Sequence, residues 1–236
     1  MIRFRPLLVP TLWFVPALAL LAGLGVWQIE RLHWKEDLIA RVESRMAAPA
    51  APLDDVLVHG LANAEWRRVQ VHGYFPNDSE VYLFAPSAAG QPGYHVIAPF
   101  VVAGGDHAIL VDRGYVPEDL KDPRSRKESF GGEERLTGIV RLSQPPGLFT
   151  PAPDPRTRVW FNRDARAMAE ALRVAPVAPI IVEEDGTPGA GEYPRGGQTR
   201  VDFPNNHLQY ALTWFALALV LTAVYLLYHR KQGRLG

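Results

Sequence analysis

The chain has 236 residues with 25 Lys and Arg against 25 Asp and Glu, so its formal net charge is zero, and it contains no cysteine. A zero balance argues against nucleic acid as a partner, because phosphates select a basic surface. Without cysteine the chain cannot form disulfides, iron–sulfur clusters or thiolate sites for copper and zinc. Its three methionines are scattered, so they form no thioether cluster for soft copper either. These absences argue against a copper carrier.

The first element is an apolar run from residue 7 to residue 29 that contains no charged residue. A bilayer-spanning helix needs about 20 such residues, so the run predicts a membrane helix. Ala19 and Gly23 are small residues one turn apart, and we expect them to let a second helix approach closely. A cleaved signal peptide is the alternative, because it shares the basic start and the apolar run.

Residues 30–46 mix charges with apolar positions, which predicts that the first helix continues out of the membrane. Trp27, Arg31 and Trp34 fall on one face, where they suit the headgroup layer as interfacial anchors. A ligand-binding role for this face is the alternative. Pro49 and Pro52 are expected to end the helix and begin a hinge.

Short alternating runs follow, punctuated by Gly, Pro and Asp. They predict strands at residues 66–75, 80–85, 93–102, 107–116, 135–142, 159–162 and 180–183, with one helix at 164–173 that we expect to lie across an open end. This pattern is typical of a mainly antiparallel β domain, either a barrel or a sandwich.

The last apolar run, from Leu208 to Tyr228, predicts a second membrane helix with His207 at its mouth. Helical spacing places several side chains on one stripe: His207, Tyr210, Trp214, Ala218, Leu221 and Tyr225. An ionisable residue at a spanning helix is a functional candidate. A neutral imidazole here could ligate haem iron, with Tyr210 and Trp214 supplying a hydrogen bond and a flat apolar wall. Interfacial anchoring by the same three residues is the alternative.

The basic residues of the two short tails predict that both termini are cytoplasmic. The expected organisation is a cytoplasmic tail (1–6), a membrane helix (7–29), an extracytoplasmic β-rich domain with a leading helix (30–206), a second membrane helix (207–228) and a cytoplasmic tail (229–236). In a bacterium the protein would cross the inner membrane twice, with the bilayer around both helices and the central domain in the periplasm.

The sequence shows no enzyme signature. It lacks the HExxH, GxSxG and GxGxxG patterns and a phosphate-binding loop. An enzyme would have to use Asp112, His95 or His107, which lie in predicted strands where an ordinary structural role is the simpler explanation. We therefore predict a protein without catalytic residues.

Several segments resemble one known family in their residues and in their order. They are GVWQIERLHWK (25–35), RRVQVHGYF (67–75), GYHVIAPF (93–100), ILVDRGYVP (109–117), LTGIVR (136–141) and NNHLQYALTWF (205–215). The opening segment is similar to the G-x-W-Q-x-x-R-x-x-x-K signature of the Surfeit-locus family of cytochrome c oxidase biogenesis factors. The two-span layout is the same, and the resemblance covers nearly the whole chain.

This resemblance implies a non-enzymatic assembly factor that binds haem a at the membrane and aids its insertion into subunit I of haem-copper oxidases. It implies His207 as the axial ligand of the haem iron, with Tyr210 and Trp214 as further cofactor-binding residues. Haem a synthase is a second expected partner beside subunit I. The alternative is a membrane-tethered scaffold that stabilises an oxidase assembly intermediate without binding haem.

Overall fold

The computed structural model describes residues 5–76, 79–87, 89–104, 107–126, 132–174, 177–186, 192–199 and 203–234. The chain forms two compact units, one from its two ends (residues 1–41 and 202–236) and one from residues 42–201. Both predicted membrane segments fall in the first unit, and the predicted strands fall in the second.

The first unit is built on two helices, α1 (Leu8–Ala47) and α5 (His207–Lys231). Each is long and apolar enough to cross a membrane, and almost none of its most apolar stretch is buried. Exposed apolar helices of this length are the pattern of a membrane protein rather than of a soluble core. As predicted, α1 continues beyond residue 29 without a break, and it passes through Pro16.

The two helices form an antiparallel pair whose two ends are joined by histidine side chains. Near the chain termini the backbone N–H of Leu7 donates to His229 Nε2 at 3.0 Å. Far along the pair, His207 Nδ1 lies 2.7 Å from Gln28 Oε1. These two bonds fix the register of the helices over most of the length of α5.

The more buried side of α5 repeats at steps of three and four residues, as in a coiled-coil seam: His207, Ala211, Trp214, Ala218, Leu221, Tyr225 and His229. On α1 the close approach is at Gly25, where an added Cβ would lie 2.6 Å from the ring of Phe215. Our prediction that Ala19 and Gly23 make this contact is wrong. Both residues are exposed, and Gly23 has open space around it.

The described part of the second unit contains the sheet, three short α-helices and two 3-10 helices, Glu118–Leu120 and Pro123–Ser125. The strands are β1 (Ala51–Pro52), β2 (Arg68–Tyr74), β3 (Val81–Phe84), β4 (Tyr94–Val102), β5 (Ala108–Val116), β6 (Glu134–Leu142), β7 (Val159–Trp160) and β8 (Val177–Glu184). The helices are α2 (Leu53–Leu57), α3 (Leu61–Ala64) and α4 (Ala165–Leu172). The predicted strands are all present with shifted ends, while β1, α2 and α3 were not predicted.

Five strands close into a barrel in the order β2–β6–β8–β5–β4, with β4 pairing back to β2. Of the two predicted architectures, the barrel is therefore the one observed. Four of the five pairings in this ring are antiparallel, and β5 with β8 is the parallel one. The domain is accordingly mainly antiparallel, as predicted.

Alternation along the strands divides the core into an inner and an outer cluster. On β5, Ile109 and Val111 belong to the inner cluster, whereas Leu110 packs outward with Met168 of α4. Helix α4 thus covers the outer face of the barrel, and our expectation that it lies across an open end is wrong. The inner cluster is instead completed from α2 and α3, which supply Leu53, Val56 and Ala64.

Candidate functional site

The first residue of α5, His207, is held by a side chain of α1. Its Nδ1 lies 2.7 Å from Gln28 Oε1. An amide oxygen only accepts hydrogen bonds, so Nδ1 carries the proton and donates it. In the neutral imidazole the other nitrogen, Nε2, then keeps its lone pair. Gln28 is 9% exposed, so a nearly buried partner fixes both the tautomer and the orientation of the ring.

The structure separates the other two predicted site residues. Trp214 is half-buried on the same side of α5 as His207, two turns further along the helix. Tyr210 is 55% exposed and lies at the edge of that stripe. The predicted stripe is therefore a helix-packing surface that includes His207 and Trp214, whereas most of the Tyr210 side chain lies outside the contact.

The contact between Gln28 and His207 was not predicted, although both residues occur in the family-like segments. The spacing of Gln28, Arg31 and Lys35 places the three residues on one face of α1, but it does not say which residues of α5 that face meets. Arg31 and Lys35 are half-buried. Gln28 thus adds one residue of α1 to the three residues predicted on α5.

The side chains around His207 are better suited to binding a haem iron through one axial ligand than to binding a bare metal ion. Among the residues described, no three His, Asp or Glu side chains are grouped as they would be around an ion. Haem iron is held by as little as one imidazole from the protein, since the porphyrin supplies four nitrogens. His207, with Nδ1 engaged and Nε2 carrying a lone pair, fits that requirement.

His229 shows what a structural histidine looks like in the same unit. It is fully buried, its Nδ1 donates to the carbonyl oxygen of Tyr225 at 2.9 Å, and its Nε2 accepts from the N–H of Leu7. Both ring nitrogens are occupied, so His229 has no lone pair left for a ligand. This role cannot be predicted from the sequence, because it depends on the contact between the two chain ends.

In the barrel, two of the residues considered for catalysis form a buried pair. His95 Nδ1 lies 2.8 Å from Asp112 Oδ2, and the two residues are 5% and 2% exposed. Burial alone would lower the pKa of His95, but the charge and hydrogen bond of Asp112 outweigh it and the pKa is raised. Asp112 also accepts from the N–H of Gly114 at 2.9 Å, so the pair fastens β5 where its register against β4 shifts between Val96 and Ile97. His107 lies outside it, just before β5.

The chain is similar in sequence to known proteins over most of its length. Residues 15–219 match the SURF1 family model. Surfeit locus protein 1 of Mus musculus is 37% identical over 223 residues, which cover 87% of this chain and 71% of that protein. The Homo sapiens protein of the same name is 36% identical over 83% of this chain and 69% of its own length. A SURF1-like protein of Drosophila melanogaster is 35% identical over 89% and 74%. The chain belongs to the SURF1 family.

Proposed function

We propose that this chain is an assembly factor for haem-copper oxidase that binds haem a at its two membrane helices and passes it to subunit I. Membership of the SURF1 family supports the role in assembly. The observation that carries the haem proposal is the hydrogen bond from His207 to Gln28, which leaves Nε2 of His207 with its lone pair. The iron of a bound haem would take that nitrogen as an axial ligand.

The surroundings of His207 suit a large apolar cofactor. Haem a carries a long hydrocarbon tail, which is stabilised among lipid and exposed apolar helix faces rather than in water. Trp214 offers a flat apolar surface on the same side of α5, two turns from His207, and the Tyr210 hydroxyl is available as a hydrogen-bond partner. A single protein ligand also favours release, because fewer bonds must break when haem is transferred.

The antiparallel helix pair supports a hairpin topology in the membrane. Both helix ends nearest the chain termini meet at Leu7 and His229, and the last turn of α5 is basic. We infer that both termini are cytoplasmic and that residues 42–201 lie on the outer side, which is the periplasm if the protein sits in a bacterial inner membrane. Subunit I and haem a synthase would then contact the protein at the bilayer.

The test is an absorption spectrum of detergent-purified protein, co-expressed with the enzymes that make haem a. We expect the wild-type protein to show haem a bands and His207→Ala to lose them. His33→Ala is the matched control, because His33 is an exposed histidine of α1, and its spectrum should not change. Gln28→Leu should keep the bands but weaken haem affinity by about 10- to 100-fold, the usual cost of losing the partner of a ligating histidine.

A colourless wild-type protein, isolated from cells shown to contain haem a, would contradict haem binding and leave the scaffold alternative.

One feature of the β domain favours the scaffold alternative. Leu148 and Phe149 are 99% and 98% exposed at the tip of a turn closed by a hydrogen bond from Thr150 N to Gly147 O. Such exposed apolar residues suit docking to a partner. A scaffold predicts normal oxidase levels in cells that carry His207→Ala.

A further inference from the structure

Two cationic side chains follow Gln28 on the same face of α1. Arg31 and Lys35 stand three and seven residues beyond it, so the three side chains are stacked along one side of the helix over two turns. Both cations are half-buried. They begin just beyond the uncharged stretch of α1, with Arg31 two residues after Ile29.

Neither cation forms an ion pair with a carboxylate in the part of the chain that the structure describes. Each lies over an aromatic ring instead, with the Arg31 guanidinium 4.2 Å from the centroid of Trp34 and the Lys35 ammonium 5.1 Å from that of Phe203. Aromatic rings position a cation but do not neutralise it. Half-buried cations of this kind are best satisfied by an anion from outside the chain, which forms strong charge-assisted hydrogen bonds.

We propose that Arg31 and Lys35 bind the two propionate carboxylates of the haem whose iron His207 ligates. This inference rests on the proposed function, because it concerns the same ligand. Both carboxylates lie on one edge of the porphyrin, and the apolar tail of haem a lies elsewhere on the ring. The two cations lie beyond the end of the apolar run, whereas the helix on the other side of Gln28 is uncharged. The propionates would therefore face water, and the tail would face lipid. The pair therefore sets the orientation of the haem.

The experiment compares protohaem with its dimethyl ester, in which both propionates are uncharged. The full-length protein in detergent is titrated with each compound, and the dissociation constant is read from the Soret shift. We expect the double variant Arg31→Gln/Lys35→Gln to bind the free acid about 10- to 100-fold more weakly than wild type, as the loss of charged hydrogen bonds implies. Its affinity for the ester should equal that of wild type.

Arg41→Gln is the matched control, because Arg41 is an exposed cation of the same helix, and it should change neither affinity. Equal weakening of free acid and ester by the double variant would overturn the proposal, since the loss would then come from the packing of the helices.

The same anion chemistry is offered by phospholipid headgroups, so phosphorus is measured in each purified protein. Bound phospholipid lost from the double variant, with protohaem affinity unchanged, would assign the cations to lipid and overturn the proposal. A wild-type protein that binds neither compound would instead contradict the proposed function itself. The two failures are therefore distinguishable.

Discussion

The carboxyl group of Glu184, the last residue of β8, titrates far from its usual range. Burial raises its pKa to about 7, and the carboxylates of Glu134 and Asp112 act in the same direction against the opposing charge of Arg113. In the unfolded chain a glutamate titrates near pH 4.3. Between these two pKa values the folded state binds more protons at Glu184 than the unfolded state does. This group therefore makes the free energy of unfolding fall as the pH rises toward 7, and it causes no further change at higher pH.

Glu184→Gln should remove that pH dependence. We expect the variant to be more stable than wild type by about 1–2 kcal/mol at pH 8, less than the full shift implies because the side chain is partly exposed, and unchanged at pH 4. Thermal unfolding of the full-length protein in detergent measures the difference. Glu43→Gln, at an exposed glutamate, should show no difference at either pH. An equal gain at both pH values for Glu184→Gln would contradict the titration argument.

The sequence alone can identify His207 as a candidate ligand but cannot identify its partner. An imidazole at the start of an apolar run is conspicuous, because placing an ionisable group at a membrane helix costs free energy. Gln28 is an uncharged amide 179 residues away, and its role depends on the register between two helices. The residue pattern within one helix does not show which residues of the other helix lie opposite it. Only the structure therefore shows this hydrogen bond.

Among the elements, seven of the eight strands and α4 were predictable, while β1, α2 and α3 were not. The five barrel strands show alternation, since each has one face in the inner cluster and one outside it. Helices of five and four residues are too short to show a helical period, and they are stabilised by tertiary packing rather than by local propensity. They exist because Leu53, Val56 and Ala64 complete the inner cluster.

The contact between β6 and β8 requires glycine at position 138. A Cβ at Gly138 would lie 2.3 Å from the carbonyl oxygen of Glu183 and 2.8 Å from Val182 Cγ1. The closed barrel fixes the backbone of β8, so it cannot move away. We expect Gly138→Ala to lower the free energy of unfolding by about 1–3 kcal/mol or more, the range for overpacked cores.

Thermal unfolding of the full-length protein also tests this substitution. Gly132→Ala is the matched control, because an added Cβ there meets nothing within 4 Å, and its effect should stay within about 0.5 kcal/mol. If the two variants unfolded at the same temperature, the close approach of β6 and β8 would not be a constraint on the fold.

At the scale of the whole molecule, the chain ends meet: the backbone N–H of Arg5 donates to the carbonyl oxygen of Arg234 at 3.0 Å. Hydropathy predicts the two spans, but it does not predict that their ends pair. The absence of native cysteine makes the proposed topology simple to test with single cysteines.

In intact spheroplasts we expect His59→Cys to react with a membrane-impermeant maleimide. Arg234→Cys should react only after the membrane is made permeable, because the proposed hairpin places it in the cytoplasm. Cysteine-free wild type is the control for background labelling. Labelling of both positions from the same side would contradict the hairpin topology.

The position of β8 has a consequence for the way the protein is made. It is the last strand in the described part of the chain, yet it lies between β5 and β6. During synthesis β5 and β6 therefore each have an unpaired edge until β8 has been made. Because a nascent chain emerges from its N-terminus, the barrel closes only after Glu184 has appeared. Until then the exposed edges are sites for aggregation. A message cut short before Val177 would therefore yield an anchored chain that never completes its domain, a substrate for quality-control proteases.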